Sequence, residues 1–471
     1  MGPATRRVRG RGRGAASRPS ASPDADADAI AGIAAERATA QNDLSAAASP
    51  SGARLPGVHR SDGRIGRRLF VHIGGFDPET PERVHARLVR ELARFRRTWS
   101  TLTWTSAPRY DADGAAWTVE TTGRDWHVST LVRFVRWDDV MADYARRPLW
   151  LRTARGAVAG LDFAAGGALK GYLRTNWRYA LFFLYPLVVV AALLAAAVYA
   201  GAAVAALTGW TAAGALVAVV GLGLLIYGPV RWLHLPLASD DWTFARDYIR
   251  HPPPTLIDRL DRLAAEIVAA ARTGEVDEVV VLGHSLGAVL AVDVVERALR
   301  LDPELGRGGS PVALVTVGSS ILKIALHRGA VRLRAALSRV AAAPAPFWVE
   351  YQALVDIMNF YKTDPIAEAG LPPSGRPLVR VVRISKMLDP DYYRRIKGRF
   401  FRLHCQFVSG NDRRAAYDYF VLACGPVAVR ELACLPEGPA SAFAADGSLI
   451  DRGAPSAATC ATGASSTMMS A

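Results

Sequence analysis

The sequence predicts an α/β fold, in which a mainly parallel sheet carries helices on both faces and is interrupted by a two-helix transmembrane hairpin. Short β-branched runs, such as residues 69–73 and 279–282, predict the strands, and segments of helical period between such runs predict the helices. The hairpin is predicted because no charged residue occurs between Arg178 and Arg231.

The chain is expected to become ordered near Arg67. Residues 1–66 are rich in Ala, Arg, Ser, Gly and Asp and lack a sustained apolar period, which is typical of a disordered, basic tail. Residues 67–150 should form the first part of the sheet domain. This part opens with the strand at 69–73 and continues through an amphipathic helix over 84–95.

Residues 151–250 form the predicted membrane region. The uncharged stretch inside it is too long for one span, which needs about 20 apolar residues, and it suits two. We place the spans near 180–200 and 207–227, with a turn around 201–206, and an extension of this turn to residues 208–210 stays open. Hydrophobic residues make up 51% of the chain, a share that agrees with the presence of membrane segments.

Two spans return the chain to the side of the membrane that it left. Basic residues are concentrated in the segment before the hairpin, at Arg146, Arg147, Arg152, Arg155, Lys170, Arg174 and Arg178. By the positive-inside rule, both flanks, both termini and the sheet domain are expected in the cytoplasm. The sequence therefore predicts a multi-pass membrane protein whose first partner is the lipid bilayer.

Residues 251–435 should form the second part of the sheet domain. Apolar runs at 279–282 and 312–317 predict two buried strands, and each is followed by a helical pattern. From 436 to 471 the chain is rich in Ala, Ser and Gly, so this segment is expected to be a second disordered tail.

The pattern G-x-S-x-G occurs at residues 283–287, directly after the strand at 279–282 and directly before an apolar helical segment. Strand, sharp turn and helix are the context in which this pattern forms a nucleophile elbow. In such a turn the serine, here Ser285, takes a strained backbone conformation, and its hydroxyl stands clear of the sheet. The other interpretation is a Gly-rich turn in which Ser285 only caps the helix.

A nucleophilic serine needs a base, and the base needs a carboxylate that orients it. His404 is the best candidate for the base, because it follows the last predicted strand. The other eight histidines lie in the tail, on the first strand, in the elbow itself or outside the loops expected at the site. Asp356, at the end of a strand predicted over 347–355, is the favoured acid, and Asp364 in the following loop stays an alternative.

A reaction at Ser285 also needs two backbone N–H groups that stabilise developing negative charge. One should come from Leu286, which lies at a helix N-terminus. The other should come from Gly75 or Phe76 in the loop after the first strand, since glycines let a backbone approach a substrate closely. The alternative is a plain Gly-Gly turn.

Composition argues against several other classes of protein. The net charge is +14, but the positive residues are mostly arginine and no nucleic-acid-binding motif accompanies them, so we expect no nucleic-acid partner. The four cysteines include no C-x-x-C pair. We therefore expect no metal site, and nothing in the sequence predicts a cofactor.

The G-H-S-L-G elbow, the early H-x-G-G loop and the chain order Ser285, Asp356, His404 resemble the α/β-hydrolase superfamily. The pattern is similar to lipase-like serine hydrolases and covers residues 67–150 and 250–435, with the transmembrane hairpin as an insertion. This resemblance implies hydrolysis of an ester or acyl bond through an acyl-serine intermediate. A membrane anchor makes an apolar ester or lipid the expected substrate.

Two other functions are consistent with parts of the sequence. One is a catalytically inactive, hydrolase-like domain that serves as a membrane scaffold or interaction protein. The other is a small transporter subunit. The transporter is the weaker alternative, because the two predicted spans contain no ionisable residue of the kind that marks an ion or substrate path.

Overall fold

The computed structural model describes residues 64–227 and 235–450 of the chain. The predicted tails therefore lie outside the described residues over 1–63 and 451–471. Strands of the described part, in chain order, are β1 (Arg67–Ile73), β2 (Leu102–Thr105), β3 (Arg109–Asp111), β4 (Gly114–Thr122), β5 (His127–Val135), β6 (Glu278–His284), β7 (Val312–Val317), β8 (Phe347–Ala353) and β9 (Leu378–Val382).

Helices separate most of these strands. In chain order they are α1 (Pro81–Trp99), α2 (Asp138–Ala145), α3 (Leu149–Ala165), α4 (Ala168–Thr175), α5 (Trp177–Thr208), α6 (Thr211–Tyr227), α7 (Leu235–Arg250), α8 (Pro254–Thr273), α9 (Gly287–Leu301), α10 (Ile321–Ala325), α11 (Val331–Ala342), α12 (Pro365–Glu368), α13 (Ile384–Met387), α14 (Pro390–Ile396), α15 (Phe400–His404), α16 (Tyr419–Cys424) and α17 (Val429–Cys434).

The strands form one mixed, mostly parallel sheet in the order β2-β4-β5-β1-β6-β7-β8-β9, and β3 also pairs with β4. β5, β1, β6, β7, β8 and β9 are mutually parallel, whereas β2, β3 and β4 extend the sheet by antiparallel pairing. The α/β architecture is thus confirmed. The antiparallel extension follows from a short turn between β4 and β5, because adjacent strands joined by a tight turn must run antiparallel.

Central strand β6 is buried along its whole length. Val279 and Val281 pack in one hydrophobic core, and Val280 and Leu282 pack in a second core. Because successive side chains of a strand point to opposite faces, the unbroken apolar run supplies both cores at once. This placement fixes the end of β6, and with it Ser285, at the middle of the sheet.

Segments from before and after the predicted membrane region share this sheet. β1 pairs with β5 on one side and with β6 on the other. At the amino end of the pair, Arg68 and Glu278 form a buried ion pair with an Nη2–Oε2 distance of 2.7 Å. Arg68 also donates to the carbonyl of Gly425, and Glu278 accepts from the N–H of Val429.

Some residues that composition assigns to the two tails are packed against the globular body. Ile65 is buried, and its N–H donates to the Pro426 carbonyl at 2.8 Å. Residues 436–450 also belong to the body, where the buried Phe443 contacts the rings of Trp99 and Trp126. Disorder was therefore the wrong prediction for 436–450, because one aromatic anchor holds a segment whose composition is otherwise Ala-, Ser- and Gly-rich.

Among the described residues, α5 is the one helix long and apolar enough to cross a membrane, with 32 residues that include Pro186. The first predicted span, 180–200, lies within it. α6 has 17 residues, or about 26 Å of helix, which is shorter than a hydrocarbon core of about 30 Å. Whether the second predicted span, 207–227, crosses a membrane stays a prediction.

The turn lies at the far end of the predicted region, at residues 209–210, whereas residues 201–206 are helical. α5 continues to Thr208, and the chain turns at Gly209, which has a φ of 67°, before α6 begins at Thr211. Alanine, abundant in 201–206, is the strongest helix former, whereas glycine adopts the left-handed conformation without a steric penalty. α5 and α6 then pack closely, since a Cβ added to Gly201 would lie 2.5 Å from the Gly214 carbonyl oxygen.

The rest of the 151–250 region belongs to the globular body. α3 and α7 pack together, and Arg152 and Asp240 form a largely buried ion pair between them at 2.6 Å. On α4, the Tyr172 hydroxyl donates to the carbonyl of Lys323 at 2.5 Å. α3, α4 and α7 therefore connect the base of α5 to the sheet domain.

Candidate active site

Ser285 occupies the sharp turn between β6 and α9. Its φ of 56° lies in the left-handed region, which non-glycine residues rarely adopt. Backbone hydrogen bonds hold this conformation: the Ser285 N–H donates to the Val317 carbonyl at 3.0 Å, and the Ser285 carbonyl accepts from Ala288 and Ser320 at 3.1 Å each. The elbow geometry that the motif predicts is therefore present at this serine.

The two glycines of the motif are explained by close approach of the backbone. A Cβ on Gly283 would lie 2.6 Å from both Ala288 Cα and the Gly287 carbonyl oxygen. A Cβ on Gly287 would lie 2.3 Å from the Ile73 carbonyl oxygen and 2.4 Å from that of Gly74. Because these are backbone atoms, no side-chain rotation could relieve either clash.

Replacement of Gly287 by alanine should therefore disturb the elbow. We expect a loss of about 1–3 kcal/mol in the free energy of unfolding, and a fall of about 100-fold in the reactivity of Ser285 if the turn moves by about 1 Å. Thermal unfolding and the rate of labelling by a fluorophosphonate measure the two effects. Gly398→Ala is the matched control, since a Cβ there meets nothing within 4 Å, and wild-type behaviour of Gly287→Ala would contradict the close packing.

His404 and Asp356 form a buried pair at the carboxyl edge of the sheet. His404 Nδ1–H donates to Asp356 Oδ2 at 2.7 Å, and the two side chains are 2% and 0% exposed. The other carboxylate oxygen, Oδ1, accepts from the N–H of Met358 at 2.9 Å. His404 Nε2 is buried and has no hydrogen-bond partner among the described residues, so this atom is available to accept a proton.

The two candidate acids differ in what they bind. Asp364 is the N-cap of α12, where its side chain accepts from the N–H groups of Ile366 and Ala367. Asp356 follows the end of β8 and contacts His404 directly. Asp356 is therefore the candidate acid that contacts His404, whereas Asp364 caps α12. His404 itself ends a short helix, α15, which follows β9 in the chain.

The loop after β1 lies against the serine. A Cβ on Gly75 would approach Ser285 Cβ to 2.8 Å, so the backbone at this position passes directly beside the serine side chain. Trp137 Nε1 donates to the Gly74 carbonyl at 3.1 Å and holds the loop in place. Among the described residues, the N–H groups of Gly75, Phe76 and Leu286 donate no hydrogen bond, which is what an oxyanion site requires before substrate arrives.

Two further histidines lie near His404. Burial lowers the pKa of His72 to about 3, and burial also lowers the pKa of His284 well below its ordinary value. Both rings are therefore neutral at physiological pH. His72 Nδ1 hydrogen-bonds the hydroxyl of Tyr419 at 2.7 Å.

His284 has a role that the sequence did not reveal. Its Nε2–H donates to the backbone carbonyl of His404 at 3.1 Å, and the two rings lie 4.5 Å apart. The residue before Ser285 in the elbow therefore helps to hold the backbone of His404 in place. Position within the motif, directly before Ser285, was the one available signal. Trp137 gave no signal at all, because its contact with the loop joins distant parts of the chain.

Ser285 and His404 open into one cavity of about 500 Å³. The lining is mostly apolar, and several elements contribute to it. Its aromatic members are Phe76, Phe134, Trp137, Tyr179, Phe182, Tyr185, Trp242, Phe400 and Phe401. A mainly apolar cavity with a few polar groups at one point is the usual form of a small-molecule site.

Within the described residues, no group of three or more His, Cys, Asp or Glu side chains is arranged to hold a metal ion. At this site the structure brings together a serine, a histidine–aspartate pair and backbone N–H groups that donate no hydrogen bond. Comparison of the chain with protein-family models, curated proteins and solved structures finds no match.

Proposed function

We propose that this protein is a serine hydrolase that cleaves a carboxylic ester, or a related acyl bond, through an acyl-serine intermediate. The observation that carries the proposal is the strained Ser285 in the same cavity as His404, whose Nδ1 is bound by Asp356 and whose Nε2 is unbound. A serine, an oriented base and a buried carboxylate are the parts that nucleophilic catalysis needs.

In the first half of the reaction, His404 Nε2 takes the proton of Ser285 while Oγ attacks the carbonyl carbon of the substrate. The oxygen of the tetrahedral intermediate accepts hydrogen bonds from the N–H of Leu286 and from that of Gly75 or Phe76. The carbon–oxygen bond to the leaving alcohol then breaks. The alcohol departs with the proton from His404, and the acyl group stays on Ser285.

In the second half, water gives a proton to His404 and attacks the acyl carbon. The bond to Ser285 Oγ breaks, the serine regains the proton, and a carboxylic acid is released. Asp356 keeps the proton of His404 on Nδ1 and stabilises the imidazolium that forms. The Met358 N–H fixes the carboxylate for that task.

The same proposal places the protein at a membrane, through α5 and with α6 as the returning span. α5 has the length and apolarity to cross, and its large apolar side chains, such as Val198 and Leu207, are exposed. Packing of Gly201 against Gly214 supports a helical hairpin, since small residues let membrane helices approach closely. The 17-residue α6 would cross where the bilayer thins.

With two spans and the arginine-rich flank inside, the sheet domain and both termini are cytoplasmic. A tag at the C-terminus should then resist protease added to the outside of intact cells and be digested once the membrane is permeabilised. A tag on the loop at Gly209 should behave in the opposite way. Digestion of the C-terminal tag in intact cells would contradict the two-span topology.

Active-site labelling tests the enzymatic proposal. Membranes that contain the full chain are treated with a fluorophosphonate, which bonds to activated serines, beside the variant Ser285→Ala. We expect labelling of the wild type and none of the variant, with a fall in ester hydrolysis of about 10³-fold or more. Ser320→Ala is the matched control, because Ser320 also lines the cavity. Absence of Ser285-dependent labelling would favour the inactive scaffold.

A further inference from the structure

One side of the cavity that holds Ser285 is formed by α5. Tyr179, Phe182, Tyr185 and Pro186 line it, and their spacing places them along one side of the first turns of the helix. We call these four residues the α5 wall. The helix that could cross a membrane therefore begins as part of the cavity.

Beyond the α5 wall the helix is apolar and largely exposed. Val188 is 61% exposed and Leu207 is 86% exposed. The segment 187–208 has about 22 residues, or roughly 33 Å of helix, and a hydrocarbon core is about 30 Å thick. If this segment crosses the bilayer, the membrane surface lies near Tyr185 and Pro186, at the level of the cavity.

α15 adds two adjacent phenylalanines to the rim of the same cavity. Phe400 and Phe401 line it, and each is 49% exposed. At the start of α5, Trp177 and Leu181 are 60% and 56% exposed. Apolar surface costs about 25 cal/mol per Å² in water, so such rings are more favourably placed against acyl chains. Exposed apolar surface beside a cavity marks a place of contact with membrane or ligand.

The charged side chains of the cavity come from other elements. Asp77 and Glu79 follow β1, Arg87 on α1 pairs with Glu79, and the buried Lys323 on α10 pairs with Asp241. The α5 wall and the two phenylalanines carry no charge. An amphiphile matches this division, with its hydrocarbon chain along the α5 wall and its ester group at Ser285.

We propose that the cavity is filled from the bilayer along the α5 wall, and that the substrate is a long-chain carboxylic ester resident in the membrane. This inference rests on the proposed hydrolase function of Ser285 and on the crossing of the membrane by α5. The acyl chain keeps contact with apolar surroundings during transfer, so little of it is exposed to water when the ester reaches the serine.

A comparison of two esters tests the route. The full chain is reconstituted in phosphatidylcholine vesicles and assayed with 4-methylumbelliferyl palmitate dissolved in the bilayer and with 4-methylumbelliferyl butyrate in water. We expect Ser285-dependent hydrolysis of both. The variant Ala238→Trp, on α7, places a large ring in the lining of the cavity without changing α5. It should lower the ratio of palmitate hydrolysis to butyrate hydrolysis by about tenfold or more.

Ala269→Trp on the exposed side of α8 is the matched control and should leave both activities unchanged. Labelling by the fluorophosphonate shows that each variant is folded. If Ala238→Trp fails to label, the smaller change Ala238→Leu takes its place, and the same selective loss is expected at lower amplitude. Equal loss of both activities, or no loss in a labelled variant, would overturn entry along the α5 wall.

The outcomes separate the two proposals. Hydrolysis of neither ester, together with no Ser285-dependent labelling, would refute the hydrolase function itself. Ser285-dependent hydrolysis of butyrate without hydrolysis of the palmitoyl ester in the bilayer would leave the hydrolase function intact and refute only the membrane-resident substrate. Hydrolysis of the palmitoyl ester that is lost selectively in Ala238→Trp supports both.

Discussion

Replacement of His404 by alanine should lower kcat for ester hydrolysis by about 10⁵- to 10⁶-fold, the size of effect seen when the base of a serine hydrolase is removed. The ring lies in the cavity with Ser285, and Nε2 is free of other partners among the described residues. Without it, no group at that position can take the serine proton. Steady-state hydrolysis of a soluble short-chain ester measures the loss.

His251→Ala is the matched control, because His251 is exposed and lies outside the lining of the cavity. Its kcat should stay within about twofold of wild type. Circular dichroism and thermal unfolding of His404→Ala show whether the fold persists, since the residue is buried. A folded His404→Ala protein with full activity would show that another group is the base.

Replacement of Asp356 by asparagine should lower kcat by about 10⁴-fold, whereas replacement of Asp364 by asparagine should change it by less than about twofold. In Asp356→Asn an amide takes the place of the carboxylate that accepts from His404 Nδ1, so the imidazole would lose its tautomer and its stabilising charge. In Asp364→Asn the new side chain would still cap α12, because asparagine is as good an N-cap as aspartate.

The two substitutions remove the same charge eight residues apart in the chain, so each serves as the control for the other. Kinetics with a soluble ester give kcat, and thermal unfolding of both variants separates loss of function from loss of fold. Equal losses in the two variants would argue against a specific role of Asp356. A larger loss in Asp364→Asn would make Asp364 the acid and contradict the geometry.

The nucleophile elbow could be predicted from sequence because all of its determinants are local. A buried run at 279–282, the glycines at 283 and 287, and the apolar helix that follows are contiguous, and each has one dominant physical explanation. His404 could be found by elimination among nine histidines. The α/β class could be predicted because strand patterns alternate with helix patterns along the chain. Strands buried on both faces of a parallel sheet need helices to cover them, and this need produces the alternation.

Features that depend on distant contacts could not be predicted in the same way. Asp356 and Asp364 have equal chemistry, and only the fold shows that one contacts His404 while the other caps α12. The role of His284 is invisible in sequence, since its partner is a backbone carbonyl 120 residues away. The position of the turn within residues 201–210 could not be fixed from sequence, because hydropathy is uniform across α5 and α6 and only helix propensity marks the boundary.

The order of residues 436–450 was missed for a related reason. Low apolar content over a window predicts disorder, but Phe443 alone supplies contacts with Trp99 and Trp126. Apolar content averaged over a window does not show that a single aromatic side chain packs in the core. The same limit applies at the start of the body, where Ile65 is buried inside a segment that was assigned to the tail.

Direct capture of the acyl-enzyme tests the central claim, that Ser285 is the nucleophile. The wild-type protein is mixed with excess 4-nitrophenyl butyrate, quenched with acid within the first turnovers, digested and analysed by mass spectrometry. We expect one butyryl group on Ser285 in the peptide that contains residues 283–287, and none on Ser320 or in Ser285→Ala. Wild-type hydrolysis that persists in Ser285→Ala, or a butyryl group on another residue, would contradict it.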